Sequence, residues 1–189
     1  MILDLLRHGE TEQGGGLRGS LDDALTPLGW AQMRAAVEHG GPWDVLVSSS
    51  LQRCALFADE LGARLGLAVR REPALQELHF GEWEGHSAAQ LMDTQAEELG
   101  RFWADPYSYT PPGGETVLAF AKRVVGAIER MQHAHAGKRV LLVTHGGVMR
   151  LLLARARGLP REQLLQVEVG HGALVRLALQ DDGQLAEVA

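Results

Sequence analysis

The sequence predicts an α/β fold, a three-layer sandwich with a mostly parallel central sheet and an antiparallel edge. Three observations predict it. Short apolar runs alternate with segments whose apolar residues recur every three or four positions, the pattern of buried strands separated by amphipathic helices. The strongest run, Val140 to Val143, is wholly apolar between Arg139 and Thr144, as a strand buried on both faces requires. The tail, from Ala173 to Leu179, through a turn at Asp181-Asp182-Gly183, to a short last strand, reads as a hairpin, whose strands pair antiparallel.

Residues 1–6 form an apolar run that breaks into a loop at Arg7-His8-Gly9. The polar, glycine-rich stretch from Glu12 to Asp23 is loop. Thr26-Pro27 sets a cap before a proline at the first helical turn, and Leu28, Ala31, Met33 and Val37 carry that helix towards Gly40-Gly41. Asp44 to Val47 is a second short strand. Ser48-Ser49-Ser50 reads as the cap of the next helix, along which Leu51, Ala55, Ala58, Leu61 and Leu65 recur. Val69 to Arg71 is a weak third strand. After Leu75 to Phe80, one helical stretch runs from about Ser87 to Ala104. Beyond the breaker-rich loop from Pro106 to Gly114, Glu115 to His135 is helical, with Val117, Phe120, Ala121, Val124 and Ile128 on one face. Gly146-Gly147 turns the Val140 strand into a helix through Val148, Leu151, Leu152 and Ala156. No repeat, linker or composition shift marks a boundary, so residues 1–189 are expected to form one domain.

Composition narrows the function. With 46% hydrophobic and 22% charged residues among 189, the chain has a globular profile, and a chain this long buries roughly 70% of the surface its unfolded form exposes. It needs no metal or staple to hold a core, and the single Cys54 cannot form a disulfide framework. A net charge of -6 argues against partners that demand a broad basic face, nucleic acid or an anionic membrane. The start lacks a basic leader, and no apolar stretch reaches the ~18 residues of a membrane span, so a cytoplasmic protein is expected. Any anion it handles must be met by local positive charge. Of the 18 basic residues only Lys122 and Lys138 are lysines, and arginine suits bidentate oxyanion binding.

In a parallel sheet the functional crevice lies beyond the carboxyl ends of the strands. Just past the first strand stand Arg7 and His8; past the second, Ser48 to Ser50 and then Arg53; past Leu75, Glu77; past Val143, His145. Singly, a strand-end histidine is commonly structural and a helix-borne arginine commonly a surface ion pair. Convergence from four distant segments carries the weight. A transferring phosphoryl group spreads charge over three equatorial oxygens and is stabilised mainly by positioned cationic donors, which Arg7 and Arg53 supply. A neutral imidazole can attack phosphorus, dividing one hard displacement into two. Glu77 is the right residue type to protonate the leaving alkoxide and then activate water. Gly9, Gly146 and Gly147 permit close backbone approach, and a helix starting at Gly146 points free N–H groups at an oxyanion.

The segments Leu6-Arg7-His8-Gly9-Glu10-Thr11, Leu25-Thr26-Pro27-Leu28-Gly29, Ser48 to Arg53, Glu77 to Gly85, Pro112 to Thr116 and Thr144-His145-Gly146-Gly147 stand in this order. Together they resemble the histidine phosphatase superfamily, in its phosphoglycerate mutase-like branch, from residue 3 to about residue 155. The resemblance implies that His8 accepts the phosphoryl group, that Arg7, Thr11, Arg53, His145 and Gly146 form the phosphate pocket, and that Glu77 donates the proton. It implies a metal-free, cofactor-free mechanism on a small phosphorylated substrate, carried out by a monomer or homodimer. Within the family the compact chain and its short-stranded tail most resemble the α-ribazole phosphatases. The family's mutases carry adjacent arginines for a substrate carboxylate after the acid motif, whereas here only Arg101 lies between Gly85 and Pro111, which favours a phosphatase. Where the family often has Asn, this chain has Gly14 in a run of three glycines. A phosphate binder without catalysis could have lost Glu77, so its presence favours an enzyme.

Other candidates read as bland. Lys138 after Gly137 lacks the upstream glycine of a phosphate-binding loop and sits in a surface turn. His133 and His135 lack a third ligand and are assigned to solvent. Cys54 reads as a small buried hydrophobe. Glu10 is the substitute acid and Glu82 a further carboxylate nearby, while His79, His86 and His171 are placed at the rim. Trp83, Trp103, Tyr107 and Tyr109 offer stacking to an aromatic substrate, although such loop aromatics more often pack against the core.

Overall fold

Among the described residues, β1 (Ile2–Arg7), β2 (Val45–Ser48), β3 (Val69–Arg71) and β4 (Arg139–Thr144) run parallel in a six-stranded sheet of order β3-β2-β4-β1-β5-β6. The antiparallel edge is β5 (Leu174–Leu179) and β6 (Leu185–Glu187). The computed structural model describes residues 1–180 and 182–188, so Asp181 of the expected hairpin turn lies outside them. Side-chain alternation along the strands divides the core in two. Leu3, Leu5, Val140 and Leu142 pack on one face with α5 (Val117–Ala134) and α6 (Gly146–Ala156). Leu6, Leu46, Leu141 and Val143 pack on the other with α1 (Pro27–Glu38) and α2 (Gln52–Leu65), which completes the three layers.

Local chemistry accounts for the starts of two of the long helices. Thr26 Oγ1 accepts the Gly29 N–H at 3.0 Å and Pro27 takes the first helical position of α1. Thr116 does the same for α5 at Ala119, so that helix begins at Val117 rather than Glu115. Two expectations are corrected. The three serines do not cap α2, whose cap is the extended Leu51 with no side-chain bond. They are spent elsewhere: Ser48 Oγ bonds the Ser49 carbonyl and Ser49 Oγ meets His145. The stretch from Ser87 to Ala104 is two helices, α3 (Ala88–Thr94) and α4 (Ala96–Ala104), broken at Gln95. Gln95 leaves helical geometry at φ -144° and its Oε1 accepts the buried Trp83 indole N–H at 2.8 Å, a tertiary contact without trace in local periodicity.

Among the described residues one charged group of the sheet is wholly buried, and its partners explain how. Asp4 is 1% exposed; it accepts Trp43 Nε1 at 2.7 Å, Arg139 Nε at 3.0 Å and Nη2 at 2.8 Å, and Arg176 Nε at 2.8 Å. The carboxylate thereby ties β1 to β4 and β5 and to the segment before β2. Asp4→Ala would strand a buried indole N–H and remove the carboxylate that Arg139 and Arg176 share, and removing one member of a buried charged cluster costs about 3 kcal/mol or more. Urea unfolding should show a loss of about 3 kcal/mol at unchanged m value. A loss below about 1 kcal/mol would contradict this account.

Candidate active site

Because β1, β2 and β4 are parallel, their carboxyl ends present consecutive loops on one side of the sheet. His8 follows β1 and is tied to the end of β4 by its N–H to the Thr144 carbonyl, at 3.0 Å. His145 follows β4, and the two imidazole rings meet edge to face with centroids 5.3 Å apart. Gly9 permits this close packing of loops, since a Cβ there would stand 2.1 Å from the Gly29 carbonyl oxygen.

The His8 tautomer follows from its neighbour. Nδ1 lies 2.8 Å from the Gly9 carbonyl, which only accepts, so Nδ1 carries the proton and Nε2 keeps its lone pair. Burial, then the Arg53 charge, with smaller effects from Arg7 and His171, push the His8 pKa down to about 3, despite the opposing Gly9 bond. Burial and Arg53 also hold His145 well below its ordinary value. Both rings are therefore neutral near pH 7. The His145 Nε2 is 2.7 Å from Ser49 Oγ.

Two guanidiniums adjoin this pair. Arg53, in the first turn of α2, is fully buried; it donates to the Leu21 carbonyl at 2.6 Å and the Gly19 carbonyl at 3.0 Å, and lies 3.5 Å from Asp23. Arg7 donates through Nη1 to the Val169 carbonyl. In both, Nε is buried without a partner, an unmet donor that an anion would satisfy. Burial lowers the Arg7 pKa, with Glu77 opposing and Arg150 reinforcing.

Glu77 is fixed by backbone. Its Oε1 accepts the Leu78 N–H and its Oε2 the Gly147 N–H, each at 2.9 Å, which docks the carboxyl against the first turn of α6. A Cβ on Gly147 would stand 2.2 Å from Oε1, so any side chain there would displace the Glu77 carboxyl. From behind, Arg123 Nη2 donates to the Glu77 carbonyl at 2.8 Å while Nε and Nη2 pair with Glu115 at 2.7 and 2.8 Å.

A cavity of about 240 Å³ opens over this arrangement, walled by Arg7, His8, Thr11, the Gly14–Gly16 loop, Glu77, Phe80, Arg150 and His171, with Leu17 and Arg18. Of the expected site residues, Arg7, His8, Thr11 and Glu77 form its wall. Arg53 and His145 lie fully buried beside it, and Gly146 is the first residue of α6. A larger open groove of about 850 Å³ beside α1 and α2 includes Arg34, Trp43 and Arg64 but none of these residues.

The remaining candidates separate cleanly. Glu10 is bonded by Thr26 Oγ1 at 2.9 Å and is not on the wall, and Glu82 is exposed. Of the three rim histidines only His171 lines the cavity, 5.8 Å from His8; His79 pairs with Glu84 at 3.5 Å. Trp83 and Tyr109 stack on each other at 5.7 Å, and none of Trp83, Trp103, Tyr107 or Tyr109 reaches the cavity wall. The aromatic on the wall is Phe80. Ser20 bonds Glu84, whereas Arg18 faces the cavity and ties down its glycine loop by donating to the Gln13 and Gly14 carbonyls. Cys54 is buried 3.7 Å from the His145 ring, and burial pushes its thiol up, away from the nucleophilic thiolate. His135 is not fully solvated as expected: it is half-buried, with Nε2 unpartnered. Among the described residues no three His, Cys, Asp or Glu side chains are grouped to hold a metal ion, and no helix is long and apolar enough to cross a membrane. The sequence reading missed Arg150 and Asp23; the first stands four residues beyond Gly146, a helical spacing that could have revealed it.

Known proteins resemble this chain in sequence and in fold. The chain is 34% identical over 176 residues to adenosylcobalamin/alpha-ribazole phosphatase of Escherichia coli K12, covering 91% of this chain and 87% of that protein. It is 35% identical over 170 residues to glucosyl-3-phosphoglycerate phosphatase of Mycobacterium tuberculosis H37Rv, covering 84% and 76%. The crystal structure of the alpha-ribazole phosphatase from Shigella flexneri superposes with a TM-score of 0.86 at 29% identity, over 100% of this chain and 95% of that one. With the family model matched across residues 3–188, the chain belongs to the histidine phosphatase superfamily, branch 1, and is a phosphatase.

Proposed function

We propose that this chain is a cytoplasmic, metal-independent phosphomonoesterase that works through a phosphohistidine on His8. The observation that carries the proposal is the His8 ring itself, neutral, with Nδ1 engaged by Gly9 and Nε2 free beside two guanidiniums with unmet donors. In the first step His8 Nε2 attacks phosphorus; the P–N bond forms as the P–O ester bond breaks. Arg7, Arg53, His145, Thr11 and the Gly146 N–H at the start of α6 hold the non-bridging oxygens. Glu77 gives its proton to the departing alkoxide, releasing the alcohol. In the second step the Glu77 carboxylate takes a proton from water, the oxygen of that water attacks phosphorus, and the P–N electron pair returns to His8 as phosphate leaves. Each Glu77 oxygen accepts one N–H and keeps a lone pair for this exchange.

Positioned arginines supply the charge stabilisation that a metal would otherwise give. Activity is therefore expected to survive exhaustive chelation, and loss in EDTA restored by a divalent ion would overturn the metal-free reading.

The substrate we propose is α-ribazole 5′-phosphate, the reading supported by the relative that spans 91% of the chain. A small recess of about 50 Å³, lined by Leu78, Phe80, Phe102, Pro106, Leu164 and Leu165 with Arg150 at its edge, adjoins Glu77, where the leaving alcohol must sit, and offers that alcohol apolar surface. Arg101, the one arginine between Gly85 and Pro111, is turned onto Tyr109, 5.1 Å from the ring, so it offers no partner to a substrate carboxylate. We expect a kcat/KM for α-ribazole 5′-phosphate about a hundredfold above that for 3-phosphoglycerate, and no appreciable mutase activity. Comparable or reversed efficiencies would favour the second reading, a sugar-phosphate phosphatase or phosphoglycerate mutase-like enzyme, which the mycobacterial relative supports.

A further inference from the structure

Besides Arg7, and Arg18 that ties down the glycine loop, the cavity wall carries the guanidinium of Arg150, which none of the steps above uses. Arg150 lies one turn into α6, on the helix face that carries Gly146. Its Nη1 comes within 3.6 Å of where a Gly146 Cβ would stand, and Arg7 Nε comes within 3.2 Å of the same point. The bare glycine thus lets two guanidiniums converge at the start of the helix. Both are anchored by one segment before β5: Arg7 Nη1 donates to the Val169 carbonyl, and Arg150 Nε to the Val167 carbonyl at 2.9 Å. Among the described residues Arg150 forms no ion pair with a carboxylate.

Two like charges held this close raise the free energy of the empty site, and a bound anion relieves it. On the wall opposite, Gly14-Gly15-Gly16 brings no side-chain donor, and the neighbouring Arg18 already donates to Asp23 and to the Leu17, Gln13 and Gly14 carbonyls. A transferring phosphoryl group presents three non-bridging oxygens, each of which needs a donor. We propose that Arg150 is a further phosphate-binding residue of this chain, its Nη groups donating to a non-bridging oxygen that the side-chain-free loop leaves unserved. The inference rests on the phosphatase reading for what the site binds.

Binding of inorganic phosphate to the full chain, measured by calorimetry for wild type, Arg150→Met and Arg150→Lys, tests it. Methionine keeps the apolar stem and removes the charge, and is expected to weaken phosphate binding about 10- to 100-fold, the range of a charge-assisted hydrogen bond. Lysine restores the charge without the guanidinium bond to Val167 and is expected to recover most of that loss. Binding by the Met variant within about twofold of wild type would overturn the proposal. So would equal weakening by Met and Lys, which would reduce Arg150 to a tether for Val167. If the Met variant unfolds before phosphate is added, Arg150→Gln takes its place under the same criteria. Phosphate binding that depends on Arg150, in a wild type that releases phosphate from no phosphomonoester, would overturn the phosphatase reading and leave the anion site standing.

Discussion

Replacing His8 with asparagine is expected to lower turnover of any phosphomonoester by roughly 10⁵-fold or more, the scale seen when a covalent nucleophile is removed. Asparagine is the informative replacement because its amide nitrogen falls near the position of Nδ1 and can keep the bond to the Gly9 carbonyl, while nothing replaces Nε2. The loop should stay in place, and phosphate should still bind through Arg7, Arg53 and Arg150. Low turnover with retained phosphate binding separates a missing nucleophile from a collapsed pocket. Activity within about tenfold of wild type would mean that the phosphoryl group goes directly to water and that His8 only orders the site.

Glu77→Gln is expected to act selectively. General acid catalysis is worth about 10²–10⁴-fold, but only where the leaving group needs a proton. Hydrolysis of an alkyl phosphate should fall across that range, whereas p-nitrophenyl phosphate, which departs as a stable anion, should slow much less. Glutamine preserves an acceptor for one of the two backbone N–H groups that hold the side chain, so the local fold should survive. Equal slowing of both substrates would remove the acid role from Glu77. It would not pass readily to Glu10, which is bonded to Thr26 and off the cavity wall.

The strand ends were legible in the sequence because each apolar run breaks at a chemically distinct point: Arg7-His8-Gly9 after β1 and Thr144-His145-Gly146 after β4. Parallel strands then oblige those points to share one side of the sheet, so the pairing of His8 with His145 could be inferred without coordinates. Glu77 was placed by its distance from Leu75, although the docking of its carboxyl onto Gly147 could not be read. What was not legible depends on tertiary contacts. Ser48 to Ser50 match a helix cap in composition, but Ser49 meets His145 instead. The break at Gln95 answers to an indole twelve residues upstream. The helical spacing of Arg150 from Gly146 puts it on the right face of α6, but only the bare Gly146 and the Val167 carbonyl show that it is aimed inward. Of the aromatics after Ser87, Phe102 packs on Phe80 and Tyr109 stacks on Trp83 while Trp103 is exposed, and the apolar wall of the site comes from Phe80.

A phosphorylated enzyme is the species on which the whole account depends, and it can be trapped. Rapid-quench mass spectrometry of the wild type during turnover, under alkaline conditions that preserve a phosphoramidate, should find one added phosphate on His8, lost on brief acid treatment. A phosphate on Cys54 or on Ser49, or no adduct at any time during turnover under conditions that preserve it, would contradict the account.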